Sequence, residues 1–260
     1  MAIKPAQASR CAPGEVSVTG ESFVPARLLS SQPEGGWTES SALGALPVFG
    51  GLFSVTGNSS SVPLIHVFDL GNVLVRFDGK VFLRKMTAAC RDGAPVAETV
   101  NRHVEALGIE IGGDFGALHP LLVRDLGLTM APAEFRLAWN DIFEPIPGMQ
   151  EVAAETPRPR CMLSTTNEPH AAWLRQRFPQ LFALFDYCFL SNEVGLKKPD
   201  IALFRHVESV TGAPSERHLF IDDLPHNVAG ARAAGWQAFQ FRGVEDCRRQ
   251  LSEVDTRNNC

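Results

Sequence analysis

The sequence lacks the features of three broad classes of protein: nucleic-acid-binding, membrane-spanning and zinc-binding. Its 24 basic and 29 acidic residues give a formal net charge of −5, so no basic surface for nucleic acid is implied. No apolar run approaches the roughly 20 residues that are needed to cross a bilayer. The six cysteines form no CxxC pair and have no histidine at a zinc-binding spacing. We therefore expect neither a nucleic-acid nor a membrane partner.

Signals for export are also missing. Residues 1–5, Met-Ala-Ile-Lys-Pro, lack the apolar stretch of a secretory signal peptide. Cys161 and Cys188 lie in apolar runs, which is typical of small core residues. Cysteines used in this way are more typical of a reducing compartment than of an oxidised, secreted scaffold. These features predict a cytoplasmic location.

What the sequence does contain is enough apolar residues for a globular core. The chain has 260 residues, of which 45% are apolar and 20% charged, and this length fits one domain with an insertion or two small domains. Residues 1–61 differ from the rest, because they are rich in Ser, Gly and Pro and show no helical or strand period. Such a composition cannot offset the entropy lost on ordering. We predict that this segment is a flexible N-terminal leader.

The remaining residues alternate between strand and helix patterns. An apolar strand at 64–68 is followed by a segment, 79–147, whose apolar residues recur at three- and four-residue intervals, as in helices. Strands and helices then alternate up to residue 243, and 244–260 form a C-terminal tail. This order predicts an α/β fold with a Rossmann-like parallel sheet, built from residues 62–78 and 148–243, and a helical insertion after the first strand.

Polar side chains directly follow three of the predicted strands. Asp69 ends the first strand, Ser164 ends the strand at 160–163, and Asp222 with Asp223 ends the strand at 218–221. In open parallel sheets, ligands bind at the carboxyl ends of the strands. We therefore expect these side chains to share one site.

The carboxylates of this site suit phosphoryl transfer with a metal ion. Asp69 can attack phosphorus and divide one difficult hydrolysis into two easier steps. Asp222 and Asp223 repel each other unless a cation or hydrogen bonds compensate, and Mg²⁺ prefers carboxylates, a carbonyl and phosphate oxygens. Each segment also fits a structural role, since Asp69 could cap a turn and the acidic pair could cap the helix that starts near Pro225.

The other candidates are cations and hydroxyls that could hold a phosphate. Lys198 precedes Pro199 at the start of a predicted helix, where its ammonium group can neutralise phosphate charge and pair with Asp69. Ser164 and Thr165 precede another helix and could cradle phosphate oxygens, with Asn167 either assisting or capping that helix. A structural role is common for any lysine, and Ser, Thr and Asn are ordinary helix caps.

Four segments in this order resemble the motifs of the haloacid dehalogenase-like hydrolase superfamily, over about residues 62–243. They are Asp69-Leu-Gly-Asn-Val-Leu, Leu163-Ser164, Lys198-Pro199-Asp200 and Phe220-Ile-Asp222-Asp223. The resemblance implies a Rossmann-like core, a small α-helical cap at 79–147 and Asp69 as phosphoryl acceptor. It also implies Mg²⁺ as cofactor, held by Asp69, the Gly71 carbonyl and Asp223, with Asp222 beside them.

The sequence departs from the family's phosphatases at one position. Most of them carry a second Asp two residues after the nucleophile, where it acts as general acid, but this chain has Gly71. The form Asp-Leu-Gly-Asn-Val is similar to that of bacterial glucose-1-phosphate phosphatase-like members. A sugar 1-phosphate has a less basic leaving group than a simple alcohol ester, and general acid catalysis contributes roughly 10²–10⁴-fold, so such a substrate would suffer less from the missing Asp.

Three functions are therefore compared. The first is a Mg²⁺-dependent phosphatase that hydrolyses a small phosphorylated metabolite, such as a sugar 1-phosphate, through an aspartyl-phosphate on Asp69. The second is a catalytically weak binding or regulatory protein on the same fold, which Gly71 motivates. The third is a 2-haloacid dehalogenase, whose site has no use for the paired carboxylates Asp222 and Asp223. Six cationic residues of the insertion or its flanks are candidates for contacting the substrate: Arg76, Arg84, Lys85, Arg91, Arg124 and Arg136.

Overall fold

The computed structural model describes residues 9–10 and 63–258, apart from the side chains of Ser9, Arg10 and Asn258. The strands in this part of the chain are β1 (Ser9–Arg10), β2 (Ile65–Phe68), β3 (Val75–Phe77), β4 (Phe143–Pro145), β5 (Arg160–Ser164), β6 (Tyr187–Leu190), β7 (His218–Asp222) and β8 (Gln237–Gln240). The α-helices are α1 (Gly79–Ala88), α2 (Val96–Ala106), α3 (Leu118–Leu126), α4 (Pro132–Asn140), α5 (Met149–Glu155), α6 (Glu168–Arg177), α7 (Pro179–Phe182), α8 (Ser191–Val194), α9 (Ile201–Thr211), α10 (Pro225–Ala233) and α11 (Val244–Asn258).

A six-stranded sheet in the order β1-β6-β5-β2-β7-β8 forms the centre of the core. Strands β6, β5, β2, β7 and β8 are parallel, whereas β1 pairs antiparallel with β6. Phe68 at the end of β2 is in register with Met162 of β5 and Ile221 of β7. The carboxyl ends of these three strands therefore lie at one edge of the sheet. The predicted Rossmann-like α/β fold is confirmed.

Helices cover both faces of the sheet because the central strands are apolar on both sides. Phe68 and Ile221 contribute to the hydrophobic cluster on one face, and Val67 and Phe220 contribute to the cluster on the other. Neighbouring residues of a strand point to opposite faces, so each strand supplies both clusters. This double burial explains why the strands are continuous apolar runs rather than alternating ones.

The predicted helical insertion contains α1 to α4 and has a hydrophobic cluster of its own. Phe82, Phe135 and Trp139 are among the buried aromatic residues of that cluster. The insertion is joined to the core through β3 and β4, which pair antiparallel with Val75 opposite Pro145. We call residues 79–147 the cap.

Two segments differ from the sequence-based expectation. Residues 244–258 were predicted as part of a tail, but they form α11, which lies against α5 and buries Cys247, Leu251 and Val254 in the core. The spacing of these three residues by four and three is a helical signal that the polar composition of the segment conceals. Within the predicted leader, Ser9–Arg10 forms β1, and the rest of that leader lies outside the described residues.

Cys161 and Cys188 are both buried, as predicted for small core residues. Cys188 is nevertheless disulfide-bonded, which differs from the reduced state expected of a cytoplasmic core cysteine. In the part of the chain that the structure describes, no helix has the length and apolarity needed to span a membrane.

Candidate active site

A cavity of about 590 Å³ opens at the carboxyl ends of β2, β5 and β7, between the sheet and the cap. Its volume lies within the range of about 300–1,000 Å³ that is typical of sites for small organic ligands. The structure brings seven of the eight predicted site residues together in its lining: Asp69, Gly71, Ser164, Thr165, Asn167, Lys198 and Asp223. Asp222 does not line the cavity and is fully buried behind it.

Lys198 joins two carboxylates at the base of the cavity. Its Nζ lies 2.7 Å from Asp69 Oδ1 and 2.6 Å from Asp222 Oδ2, and its side chain is only 2% exposed. Burial alone would lower the pKa of Lys198, but the two carboxylates outweigh it and raise that pKa above its ordinary value. Lys198 is therefore a fixed positive charge next to Asp69.

Asp69 sits where a buried strand ends, and its charge is held by Lys198 and by the backbone. Asp69 Oδ1 accepts a hydrogen bond from the Leu70 N–H at 2.7 Å, and the Asp69 N–H donates to the Ile221 carbonyl, which fixes the end of β2 against β7. Burial raises the pKa of the Asp69 carboxyl to about 7, while Lys198 opposes this shift. Like Lys198, a divalent cation beside Asp69 would lower that pKa and so favour the ionised nucleophile.

Asp222 was predicted to lie among the metal ligands, but its oxygens are already occupied. Oδ2 accepts from Lys198, Oδ1 accepts from the Leu224 N–H at 2.8 Å, and the Asn227 amide donates to both oxygens at 3.0 and 3.1 Å. A carboxylate with all these donors and no exposed surface has no position left for a metal ion. The structure instead gives Asp222 the role of orienting Lys198.

The excess of negative charge at the base of the cavity favours a divalent cation bound through Asp69 and Asp223. One oxygen each from Asp69, Asp222 and Asp223 lie within 4.8 Å of one another, so three carboxylates face one ammonium group. The pKa of Asp223 is raised by burial and by Asp222, which is the repulsion that a cation would relieve. Asn227 Oδ1 is buried beside them without a partner among the described residues, and it could accept a hydrogen bond from a metal-bound water.

Gly71 lies in the cavity lining with open space around it. A Cβ atom built on Gly71 would meet no atom within 4 Å, so a larger side chain fits here without steric conflict. The neighbouring Asn72 has a φ of 56°, its amide donates to Asp223 Oδ2 at 3.2 Å, and its Oδ1 accepts from the Phe77 N–H. Asn adopts this left-handed conformation more readily than most residues. The first motif therefore supplies a side chain that positions Asp223, but no general acid.

Ser164 and Thr165 lie at the end of β5, as predicted. Ser164 is buried in the lining, and Thr165 Oγ1 accepts from the Lys198 N–H at 3.3 Å, which links this loop to the one that carries the lysine. The next amide, Thr166 N–H, donates to Ser191 Oγ at 2.9 Å and is therefore not available to a phosphate. Candidate phosphate donors are the hydroxyl groups of Ser164 and Thr165, and their role in binding stays a prediction.

Asn167, which was predicted to bind substrate, lies in the lining and connects the core to the cap through its side chain. Its Oδ1 accepts from the His170 N–H as a helix cap and from Trp139 Nε1 at 3.2 Å. Its Nδ2 lies 3.0 Å from His170 Nδ1, and His170 Nε2 donates to the Trp139 carbonyl. Burial lowers the pKa of His170 to about 4. The neutral His170 has both ring nitrogens engaged, whereas one N–H of the Asn167 amide has no partner among the described residues, so the role of Asn167 in binding substrate stays a prediction.

None of the six cationic residues proposed as substrate contacts lines the cavity among the described residues. Four of them are paired with acidic side chains elsewhere, such as Lys85 with Asp141 at 3.0 Å and Arg124 with Asp125 at 2.6 Å. Long cationic side chains on a helix normally remain in solvent. None of these six candidates is therefore placed to contact a ligand inside the cavity.

Sequence reasoning missed two polar residues of the site, Asn72 and Asn227. Asn72 lies inside the first motif and Asn227 four residues after the last one, and both donate to the acidic pair, Asn72 to Asp223 and Asn227 to Asp222. The signal for Asn72 was an Asn directly after Gly in a tight turn. Asn227 carries no comparable signal, since an Asn in the first turn of a helix is ordinary.

An aspartate, a lysine and an acidic pair thus lie together around the strand ends of a Rossmann-like sheet. Comparison of sequences identifies the family. A profile of the haloacid dehalogenase-like hydrolases matches residues 66–235, which is more than half of the chain. The chain therefore belongs to the haloacid dehalogenase-like hydrolases and is an enzyme of that class.

Curated relatives match a shorter segment of the chain. A drimenol cyclase of Aspergillus calidoustus is 38% identical over 73 residues, which are 28% of this chain and 14% of that protein. An enolase-phosphatase E1 of Cronobacter sakazakii is 34% identical over 71 residues, 26% of this chain and 31% of that protein. The chain thus spans less than a third of the length of either relative.

Solved structures show the same fold at low sequence identity. A family enzyme from Bacteroides thetaiotaomicron, in complex with magnesium and inorganic phosphate, has a TM-score of 0.62 and is 21% identical, covering 70% of this chain and 96% of that one. An L-2-haloacid dehalogenase from Xanthobacter autotrophicus with chloropropionic acid covalently bound has a TM-score of 0.51 and is 20% identical, covering 69% and 77%. Similarity at about 20% sequence identity shows the fold alone.

Proposed function

We propose that the protein is a Mg²⁺-dependent phosphatase that hydrolyses a small phosphorylated metabolite through an aspartyl-phosphate on Asp69. The observation that carries the proposal is the buried contact of Lys198 with Asp69 Oδ1, in a cavity that also contains Asp223. A carboxylate paired with a fixed ammonium beside a second carboxylate suits both a nucleophile and a cation-assisted phosphate site. The magnesium and phosphate bound to the Bacteroides enzyme support this reading.

Each residue of the site has a role in the proposed reaction. Asp69 Oδ1 holds Lys198 and the Leu70 N–H, so Oδ2 is the oxygen that attacks phosphorus. Lys198 and the hydroxyl groups of Ser164 and Thr165 hold phosphate oxygens, and Asp222 orients Lys198. Asp69, the Gly71 carbonyl and Asp223 would hold Mg²⁺, which neutralises phosphate charge when it is bound. Water then hydrolyses the aspartyl-phosphate.

The two alternative functions make different use of the same site. A 2-haloacid dehalogenase would need no cation, which leaves Asp69, Asp222 and Asp223, with one oxygen each within 4.8 Å of the others, with only Lys198 to balance their charge. A binding protein would need no Lys198 beside Asp69, because that buried pair must overcome the desolvation of both charges. Phosphate release from a panel of phosphorylated metabolites, with Mg²⁺ and with EDTA, separates the phosphatase from both alternatives, and halide release from 2-haloacids separates those two. A sugar 1-phosphate stays a candidate substrate, and a cytoplasmic location stays a prediction.

We expect Asp223→Asn to weaken Mg²⁺ binding by at least about 100-fold, because groups that merely orient metal ligands contribute 10–100-fold. Calorimetric titration with Mg²⁺ or Mn²⁺ measures this change directly. The matched control is Asp141→Asn, which removes an exposed carboxylate that pairs with Lys85 on the cap. An unchanged affinity in the Asp223 variant, with the fold intact, would remove Asp223 from the metal site.

We expect Gly71→Asp to raise kcat for alkyl phosphates by about 10²-fold. A general acid contributes roughly 10²–10⁴-fold, and the lower end applies because none of the described residues nearby is arranged to orient the new carboxyl group. The open space at Gly71 makes the substitution sterically tolerable. With p-nitrophenyl phosphate, whose leaving group needs no proton, the gain should be less than twofold. Gly71→Asn is the matched control, and an equal gain from Asn would show that no proton transfer was added.

A further inference from the structure

The cap presents an apolar surface to the cavity. The lining residues of the cap include Phe82, Leu83, Val100, Val104 and Trp139. The indole N–H of Trp139 is already donated to Asn167, so its remaining ring surface offers only apolar contact. A sugar ring in this position would bury hydroxyl groups against side chains that cannot bond them, which is unfavourable.

Polar and charged partners are scarce at this end of the cavity. Within the described part of the cap, the polar or charged side chains of the lining are Asn101, which is exposed, and Glu110, which pairs with Lys197 at 2.8 Å. His170 adds no positive charge, because burial lowers its pKa to about 4. A second phosphate or a carboxylate on the substrate would therefore meet no cation here and would face Glu110.

Two large apolar side chains of the lining remain uncovered. Phe77 is 44% exposed and Leu224 is 42% exposed, and both line the cavity. Leu224 directly follows Asp223, and Phe77 contacts Phe143 with ring centroids 5.7 Å apart. An apolar group that entered the cavity would remove these surfaces from water, and that burial would favour its binding.

We propose that the substrate is a phosphate monoester of an apolar alcohol, whose hydrocarbon part lies against the cap while its phosphate lies at Asp69 and Lys198. This inference rests on the proposed phosphatase function and specifies its substrate class. Leu83 and Val104, which are half-buried in the lining, are the residues that determine this specificity. The hydrolysed bond is the P–O bond, so the products are the apolar alcohol and inorganic phosphate.

A series of 4-alkylphenyl phosphates tests the proposal, because its members differ in apolar length but hardly in leaving-group acidity. From 4-methylphenyl to 4-pentylphenyl phosphate we expect kcat/KM to rise by roughly 10²-fold, since each buried methylene contributes about fourfold. Glucose 1-phosphate should be a poorer substrate than any of them. A flat series, or a higher kcat/KM for glucose 1-phosphate, would overturn the apolar assignment while leaving the phosphatase intact.

A pair of matched variants localises the effect to the cap. Leu83→Gln should lower kcat/KM for 4-pentylphenyl phosphate about tenfold and that for 4-methylphenyl phosphate less than twofold. Leu137→Gln makes the same change on the same cap at a residue that is 54% exposed and outside the lining, and it should change neither. Equal losses in both variants would contradict the role of Leu83.

A binding measurement separates failure of this inference from failure of the proposed function. If no ester releases phosphate in the presence of Mg²⁺, the phosphatase proposal is wrong, and calorimetry with phenylphosphonate and 4-pentylphenylphosphonate then tests the cavity alone. Tighter binding of the longer compound, by roughly 10²-fold, would still support an apolar ligand. Equal affinities would overturn that assignment as well.

Discussion

Replacing Asp69 by Asn should reduce phosphate release by roughly 10⁴-fold or more, because removal of a covalent nucleophile from a hydrolase has effects of this order. Asn keeps the shape of the side chain but cannot form the aspartyl-phosphate. Burial raises the pKa of Asp69 to about 7, so the ionised side chain lowers the stability of the folded protein at neutral pH, and Asn removes that destabilising charge. We therefore expect a melting temperature that is unchanged or higher. The variant should thus lose activity without losing stability.

The control for Asp69→Asn is Asp92→Asn, which makes the same change at an exposed residue near the end of α1. Its activity should equal that of the unmodified enzyme. Phosphate release and thermal unfolding are measured on both variants. Substantial Mg²⁺-dependent turnover by a folded Asp69→Asn protein would show that another group, or water, attacks phosphorus.

Replacing Lys198 by Met should destabilise the protein by about 3–5 kcal/mol, because it leaves a buried carboxylate without its counter-ion. Asp222 is fully buried and would retain only the Leu224 N–H and the Asn227 amide as partners. For a domain of this size, the loss corresponds to a melting temperature about 6–20 °C lower. Activity should also disappear, since Asp69 and the phosphate would both lose the ammonium group.

Two further variants separate the structural role of Lys198 from its catalytic one. In the Lys198→Met background, Asp222→Asn removes the uncompensated charge and should restore most of the stability but none of the activity. The adjacent Lys197→Met deletes an ion pair with Glu110 that is about half exposed, so it should change stability by less than about 1 kcal/mol. Similar losses of stability in Lys197→Met and Lys198→Met would refute the claim that Lys198 compensates the buried charge of Asp222.

The sequence predicted the sheet well because its strands are buried on both faces. Short, mostly apolar runs such as Ile65–Phe68, in which His66 is the one polar residue, fit a parallel strand that is buried on both faces. A polar residue directly after such a run must lie at the carboxyl edge of the sheet, which is why Asp69, Ser164 and Asp223 could be placed at one site from their positions alone. The order of the motifs supplied the rest.

The roles of neighbouring residues could not be predicted in the same way. Asp222 and Asp223 are adjacent in sequence, and only the contacts with Lys198 and Asn227 show that the first is saturated. The contact of Asn167 with Trp139 could not be foreseen, because Trp139 lies 28 positions away on the cap. The chemistry of the cavity likewise depends on which face each cap helix turns inward, and the six cationic candidates of the cap and its flanks lie outside the lining.

The central claim, that catalysis passes through a covalent aspartyl-phosphate, is tested most directly by the stereochemistry at phosphorus. A monoester with an isotopically chiral phosphoryl group is turned over, and the configuration of the transferred group is determined after it is passed to an acceptor alcohol. Attack by Asp69 followed by attack by the acceptor gives two inversions at phosphorus, so we expect net retention of its configuration. Net inversion would mean a single direct displacement and would contradict the covalent role of Asp69.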